Sequence, residues 1–134
     1  DLKYSYRSSI LQEERPLLII EANLRLEKGN GLEIKRLLDS RKSRRLQTQP
    51  LEYPSGGSTF RNPANTHAYK LIDKAGLRGY QIGGAKVSDK HCNFIINYEN
   101  AMSEDIKNLV EYVIENVYRV TGTKLIPEIE FFNW

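Results

Sequence analysis

From position 103 the chain sets Ile106, Leu109, Val110, Val113, Ile114, Val117 and Val120 at a 3.6-residue period that runs to Gly122. This predicts one long helix with a single apolar stripe, and such a stripe must be covered by a second layer. Ser103 reads as its N-cap, with Glu104 and Asp105 in the first turn, where the helix dipole favours negative charge. The stripe is a packing surface, not a functional one. Ala68, Tyr69, Leu71, Ile72 and Ala75 outline a second, shorter helix that Gly76 ends with a left-handed cap. Lys86-Val87 and Phe94-Ile95-Ile96 read as strands, separated by a loop holding Asp89, Lys90 and His91.

Elsewhere the pattern is weaker. Residues 17–26 alternate, Ile20, Ala22, Leu24 and Leu26 against Glu21, Asn23 and Arg25, as a half-buried strand would. Leu32, Ile34, Leu37 and Leu38 suggest a short helix running into a basic loop, and residues 4–9 a plain loop. Pro50 and Pro54 mark a connector, and residues 124–132 a closing strand around Pro127. Strands and helices mix without the regular alternation of a doubly wound sheet, so the expected class is α+β: a small mixed sheet with two to three packed helices. The expected divisions are 1–47, 48–123 and 124–134.

At 134 residues and 40% hydrophobic content the chain suits one soluble core. Its longest apolar run, 17–20, is too short to cross a bilayer, and no signal segment opens it, so a cytoplasmic protein without a membrane partner is expected. The single cysteine, Cys92, excludes an internal disulfide, and with two scattered histidines it makes no metal-ligand pattern. Net charge is only +3, yet Lys35, Arg36, Arg41, Lys42, Arg44 and Arg45 crowd together with Asp39 alone against them. That segment is either a solvated helix face with a basic loop or an anion site for phosphates.

The candidate chemistry centres on Gly56-Gly57-Ser58-Thr59-Phe60-Arg61-Asn62-Pro63. Two glycines put no Cβ beside the Ser58 hydroxyl, Thr59 and Phe60 read as a short strand that holds it, and Asn-Pro ends regular structure. A Gly-x-Ser-x-Gly nucleophile elbow is absent because position 60 is Phe, and neither His67 nor His91 has an orienting carboxylate at a recognisable spacing. A hydroxyl can instead serve as a general acid toward a strong base such as a carbanion or enolate. Such an intermediate needs a cation at its oxyanion, for which Arg7 is a candidate; otherwise Arg7 is an ordinary loop residue.

Tyr6-Arg7-Ser8-Ser9, the Gly57-Ser58-Thr59-Phe60-Arg61-Asn62-Pro63 stretch, Ala75-Gly76-Leu77-Arg78-Gly79 with Gln81-Ile82-Gly83-Gly84-Ala85, residues 91–97, and Pro127-Glu128-Ile129 occur in the order of a known family. The chain resembles the UDP-N-acetylenolpyruvoylglucosamine reductases of peptidoglycan synthesis. The resemblance implies that NADPH reduces bound FAD, that a hydride then reaches the enol ether of UDP-N-acetylglucosamine enolpyruvate, and that an enzyme acid protonates the neighbouring carbon to give UDP-N-acetylmuramate. It implies Ser58 as proton donor, with Arg7 and Glu128 assisting the enol intermediate. It further implies substrate contacts from Tyr6, Gly57, Asn62, Arg78 and His91, with Arg44 or Arg45, preferably Arg45, at the diphosphate. The interval between Arg7 and Ser58 resembles the shorter subclass, which lacks a tyrosine-bearing loop. Glu130, where an arginine is frequent in the family, and the Phe132-Asn133-Trp134 ending depart from the pattern.

No glycine-rich segment for the FAD diphosphate is recognisable in the chain. Residues 1–47 are therefore expected to be the tail of a flavin-binding domain, 48–123 a substrate domain, and the final strand one that returns to an N-terminal flavin part, without which the chain is inactive and leaves apolar surface uncovered. The alternatives are a non-catalytic module for a nucleotide-sugar or polyphosphate, and, less favoured, a nucleic-acid binder using residues 35–45 with Tyr53 or Phe60.

Overall fold

The computed structural model describes residues 2–13 and 18–132. They fall into two compact units, Asp1–Ile34 and Lys35–Trp134. In the first, Ser5 and Ser8 form an antiparallel bridge, each N–H donating to the other's carbonyl (3.0 and 3.2 Å), around a turn made by Tyr6 and Arg7. Helix α1 (Ile10–Glu13) follows, an element the sequence did not announce. Pro16 and Leu17 lie outside the described residues. Residues 18–26 are not a strand, and Leu18, Ile20, Leu24 and Leu26 stand 83–92% exposed. Alternation marks a strand only where a neighbouring strand takes the backbone groups and a core covers one face, and among the described residues this segment has neither.

Helix α2 (Gly31–Thr48) is 18 residues long, well beyond the short helix expected, and carries the whole basic cluster that was assigned in part to a loop. Asn30 starts it, its Oδ1 accepting the N–H groups of Leu32 (2.9 Å) and Glu33 (3.3 Å), which occupies two of the otherwise orphaned donors. Arginine, lysine, leucine and glutamine all favour helix, so the element persists after the apolar period fades. None of its residues is buried.

The core belongs to the second unit. Strands β1 (Ser55–Ser58), β2 (Gln81–Ile82), β3 (Ala85–Val87) and β4 (Phe94–Asn97) form one sheet in the order β1-β4-β3-β2, every neighbouring pair antiparallel. The sheet is thus not mixed; for β2–β3 and β3–β4 the tight turn at Gly83 and Gly84 and the short loop are too brief for the crossovers that parallel pairing needs. Helices α3 (Ala68–Lys74) and α4 (Ser103–Thr121) pack together, and α4 lies against β2, β3 and β4. Leu109, Val110, Val113 and Val117 of the predicted stripe meet Ala85, Val87, Ile95, Ile72 and Leu125 in that core. Each fully buried valine, leucine or isoleucine there stabilises by roughly 1.5–3 kcal/mol relative to exposure.

The helix ends follow from the sequence with one change. Gly76 (φ 72°) donates to the Asp73 carbonyl (2.9 Å) and Leu77 to that of Ile72 (3.2 Å), closing α3 with a Schellman motif. Gly122 (φ 70°) closes α4. The N-cap of α4 is Met102 rather than Ser103, because the Asp105 carboxylate accepts both the Met102 N–H (2.9 Å) and the Gly84 N–H (3.1 Å), fixing where the helix begins and fastening it to the β2–β3 turn. Residues 124–132 form no continuous strand. A single bridge, Phe60 with Pro127, joins them to the sheet's edge segment, while Leu125 is buried. Asn133 and Trp134 lie outside the described residues.

Candidate active site

Ser58 is the last residue of β1, so the strand lies before the serine and not after it at Thr59 and Phe60, where it was expected. Strand β1 pairs Ser55 with Ile96 and Ser58 with Phe94, so three steps on β1 face two on β4 and the glycines form a bulge. Gly57 takes φ 81°, with open space where a Cβ would stand. The bulge shifts the register so that Ser58 stands opposite Phe94. Ser58 is exposed, and its hydroxyl makes no hydrogen bond to another described residue.

Immediately after it the chain is clamped on both sides. On one, the Thr59 N–H donates to the Asn93 carbonyl (2.8 Å) and the Phe60 N–H to Asn93 Oδ1 (3.0 Å). On the other, the Glu128 N–H donates to the Thr59 carbonyl (2.8 Å) and the Arg61 N–H to that of Ile126 (2.9 Å). Glu128 is thereby held one residue from Ser58 although the two are far apart in sequence.

Aromatic rings continue from Phe94. The Phe94 ring, opposite Ser58, meets His91 edge-on (5.1 Å between centroids); His91 meets Tyr69 (5.4 Å), and Tyr69 stacks on His67 (5.8 Å). His91 Nδ1 accepts the Asn93 N–H (3.3 Å), which leaves the ring proton on Nε2. Burial, and more weakly the Arg78 cation, hold the His91 pKa below its usual value, so the ring is neutral at pH 7.

Arg78 is fixed by Asp73. Its Nε donates to Asp73 Oδ1 (2.9 Å), and its guanidinium also donates to the Asp89 carbonyl. The hydrogen bond from Arg78 lowers the Asp73 pKa. Cys92 lies buried against the same carboxylate (Sγ to Oδ1 3.7 Å), and burial pushes its thiol up to about 11. Asn62 Oδ1 accepts the Ala68 N–H (3.0 Å), tying the serine loop to the start of α3. The structure thus gathers Ser58, Gly57, Asn62, His91 and Glu128 around the β1 edge. Arg45 sits on α2, its Nε bonded to Gln49 Oε1 (3.3 Å), beside a groove it shares with Leu38, Arg41, Lys42, Leu46 and Leu51. Among the described residues α2 touches no other helix or strand. Tyr6 and Arg7 belong to the first unit, where the Arg7 guanidinium lies 5.6 Å from the Tyr6 ring centre and Arg7 has φ 55°.

Asn93 and Asp73 were not singled out from the sequence. Asn93 carried one usable sign, a lone amide inside the apolar run from Cys92 to Ile96, where a buried polar group demands partners. Among the described residues no group of His, Cys, Asp and Glu is arranged to hold a metal, and no helix is long and apolar enough to cross a membrane.

The profile of the UDP-N-acetylenolpyruvoylglucosamine reductase C-terminal domain matches residues 49–132. The UDP-N-acetylenolpyruvoylglucosamine reductase of Caldanaerobacter subterraneus subsp. tengcongensis is 50% identical over 130 residues, 97% of this chain and 43% of that protein. That of Anoxybacillus flavithermus is 44% identical over the same shares. The crystal structure of UDP-N-acetylenolpyruvylglucosamine reductase from Thermus caldophilus superposes with a TM-score of 0.80 at 31% identity, covering 96% of this chain and 45% of that one. The chain therefore spans less than half the length of these relatives. A profile match across most of the chain, half of all positions shared with one relative, and the same α+β fold make it a member of the UDP-N-acetylenolpyruvoylglucosamine reductase family.

Proposed function

We propose that this chain is the substrate-binding and proton-donating part of a reductase that converts UDP-N-acetylglucosamine enolpyruvate to UDP-N-acetylmuramate. The observation that carries it is the edge of β1, where an exposed serine hydroxyl beside a glycine bulge is held one residue from the backbone anchor of Glu128. Ser58 donates the proton to the substrate carbon, Arg7 meets the charge that develops on the enol carboxylate, and Glu128 completes the proton network around that intermediate. Neutral His91 and the part-exposed Tyr69 offer ring surface that a base or sugar can lie against, with Phe94 buried behind them. Gly57, Asn62, Arg78 and Tyr6 contribute polar contacts, and Arg45 meets the diphosphate.

No glycine-rich segment for the FAD diphosphate is recognisable in the sequence, so we assign the cofactor to a flavin domain N-terminal to these residues. FAD, reduced by NADPH, supplies the hydride when bound, and it would be held by the remainder of the longer protein. We place the tail of that flavin domain at residues 1–47, the substrate domain at 48–123 and the returning segment at 124–134. The exposed leucines and isoleucines of residues 18–38 are then surface for the flavin domain to cover, and a cytoplasmic location suits a pathway of soluble nucleotide-linked sugars.

Titration of the chain with a uridine diphosphate sugar, followed by amide resonances, tests the substrate assignment. Shifts are expected at Gly57, Ser58, Asn62 and Arg78 and should survive moderate salt. A folded chain whose amides stay unmoved, both alone and joined to the flavin domain, would refute it.

A further inference from the structure

The segment that follows Ser58 is held by more than a strand ladder. Asn93 is 4% exposed, and its carboxamide meets both backbone groups of a single residue. Its Oδ1 accepts the Phe60 N–H at 3.0 Å and its Nδ2 donates to the Phe60 carbonyl at 2.9 Å. A side chain thus stands in for a neighbouring strand. The surrounding bonds interlock with this pair: Thr59 donates its N–H to the Asn93 carbonyl (2.8 Å), and Thr59 Oγ1 accepts the Ile95 N–H (3.2 Å). Asn93 also donates its own N–H to His91 Nδ1.

Burial alone does not explain an amide here. Asn93 stands in the turn from His91 to Phe94 that leads into β4; an apolar side chain would fill the same buried place at no desolvation cost, whereas an amide must find partners for its polar atoms. What the amide accomplishes is to fix Phe60, and through Thr59 the serine before it, in a register where the glycine bulge has already broken the regular pairing of β1 with β4. The bulge sets Ser58 opposite Phe94 but leaves the chain beyond it without a continuous ladder. Asn93 restores the constraint, and the same residue orients the His91 ring.

We infer that Asn93 is a positioning residue for proton transfer, holding the Ser58 hydroxyl at the distance the substrate carbon requires. The inference rests on the assignment of Ser58 as proton donor. A displacement of about 1 Å can cost ~10²-fold in rate, so a residue that touches no substrate can still control the step.

The test uses the flavin-loaded full-length reductase containing these residues, as the parent, Ser58→Ala, Asn93→Ala, the double variant and Asn93→Asp. Asn93→Ala is expected to leave flavin reduction by NADPH within about twofold while slowing substrate reduction by roughly 10- to 100-fold. Its solvent isotope effect on that half-reaction should rise. Asn93→Asp, which keeps an acceptor for the Phe60 N–H but loses the donor when ionised, should fall between parent and Asn93→Ala. Because Asn93 acts through Ser58, the double variant should be no slower than Ser58→Ala; a loss equal to the product of the two single losses overturns the inference. If Ser58→Ala itself reduces substrate at the parent rate, the assignment of Ser58 fails, and this inference with it. If only Asn93→Ala is silent, this inference fails alone. Amide exchange of the unaltered protein decides the matter where a variant does not fold: the Phe60 N–H must exchange as slowly as those of β4, and rapid exchange would show that the clamp does not hold.

Discussion

The Glu128 amide donates to the Thr59 carbonyl at 2.8 Å, which joins the residue after the candidate proton donor to a carboxylate residue close to the other end of the chain. Ser58 and Glu128 are therefore neighbours by backbone pairing and not by loop placement. In the intact reductase, Ser58→Ala should slow substrate reduction by ~10²- to 10⁴-fold and leave flavin reduction nearly unchanged. Stopped-flow measurement of each half-reaction checks this; equal slowing of both would remove Ser58 from the acid role.

His91 should titrate below its ordinary range, followed by its ring proton resonances. Burial favours the neutral ring, so the folded protein takes up that proton less readily than the unfolded one. The associated stability is present above about pH 6.5 and is lost as the pH falls through the lowered pKa. A midpoint at or above 6.5 would show that the ring is not desolvated.

Cys92 should resist thiol reagents at neutral pH. Its thiol is buried and pushed up to about 11, so almost no thiolate is present until the fold opens. Because the folded pKa is raised, this contribution to stability is complete below about pH 9 and fades as the pH rises toward 11. Labelling by a chromogenic disulfide should track unfolding by denaturant, and fast labelling of the native protein would contradict the structure.

Gly84→Ala should be among the most damaging small substitutions in the domain. A Cβ there would stand 2.5 Å from the Ala101 nitrogen, against backbone that cannot step aside. Overpacking of this kind costs about 1–3 kcal/mol, or a melting temperature lower by roughly 5–20 °C. Gly122→Ala, with φ 70° but open space around it, should lose only the left-handed preference, about 1 kcal/mol. Equal melting temperatures for the two variants would refute the difference.

The legible parts of the fold were those written in local pattern. The stripe of α4 and its end at Gly122, the Gly76 cap and the apolar runs of β3 and β4 all depend on residues within a turn or two of one another. Residues 18–26 misled because alternation reports burial, and burial depends on a partner outside the segment. The extent of α2 was missed because charged residues carry helix propensity without carrying period. In the site, Ser58 and the openness at Gly57 follow from composition, whereas Glu128 was named by resemblance alone: no spacing rule connects positions 58 and 128. Asn93 and Asp73 act on groups 33 and 5 residues away respectively. Only the folded chain displays the first of these partnerships.

The clamp around Thr59 and Phe60 also sets an order of assembly. Helix α4 can begin to form from contacts within its own 19 residues, whereas the serine segment must recruit Asn93, 33 positions later, and then residues 126–128. Closing loops of that length is entropically slow compared with winding a helix. On the ribosome, Ser58 emerges long before its supports, and it has no fixed direction until Glu128 has cleared the exit tunnel. A chain stopped short of that point can be helical, compact and still chemically blank.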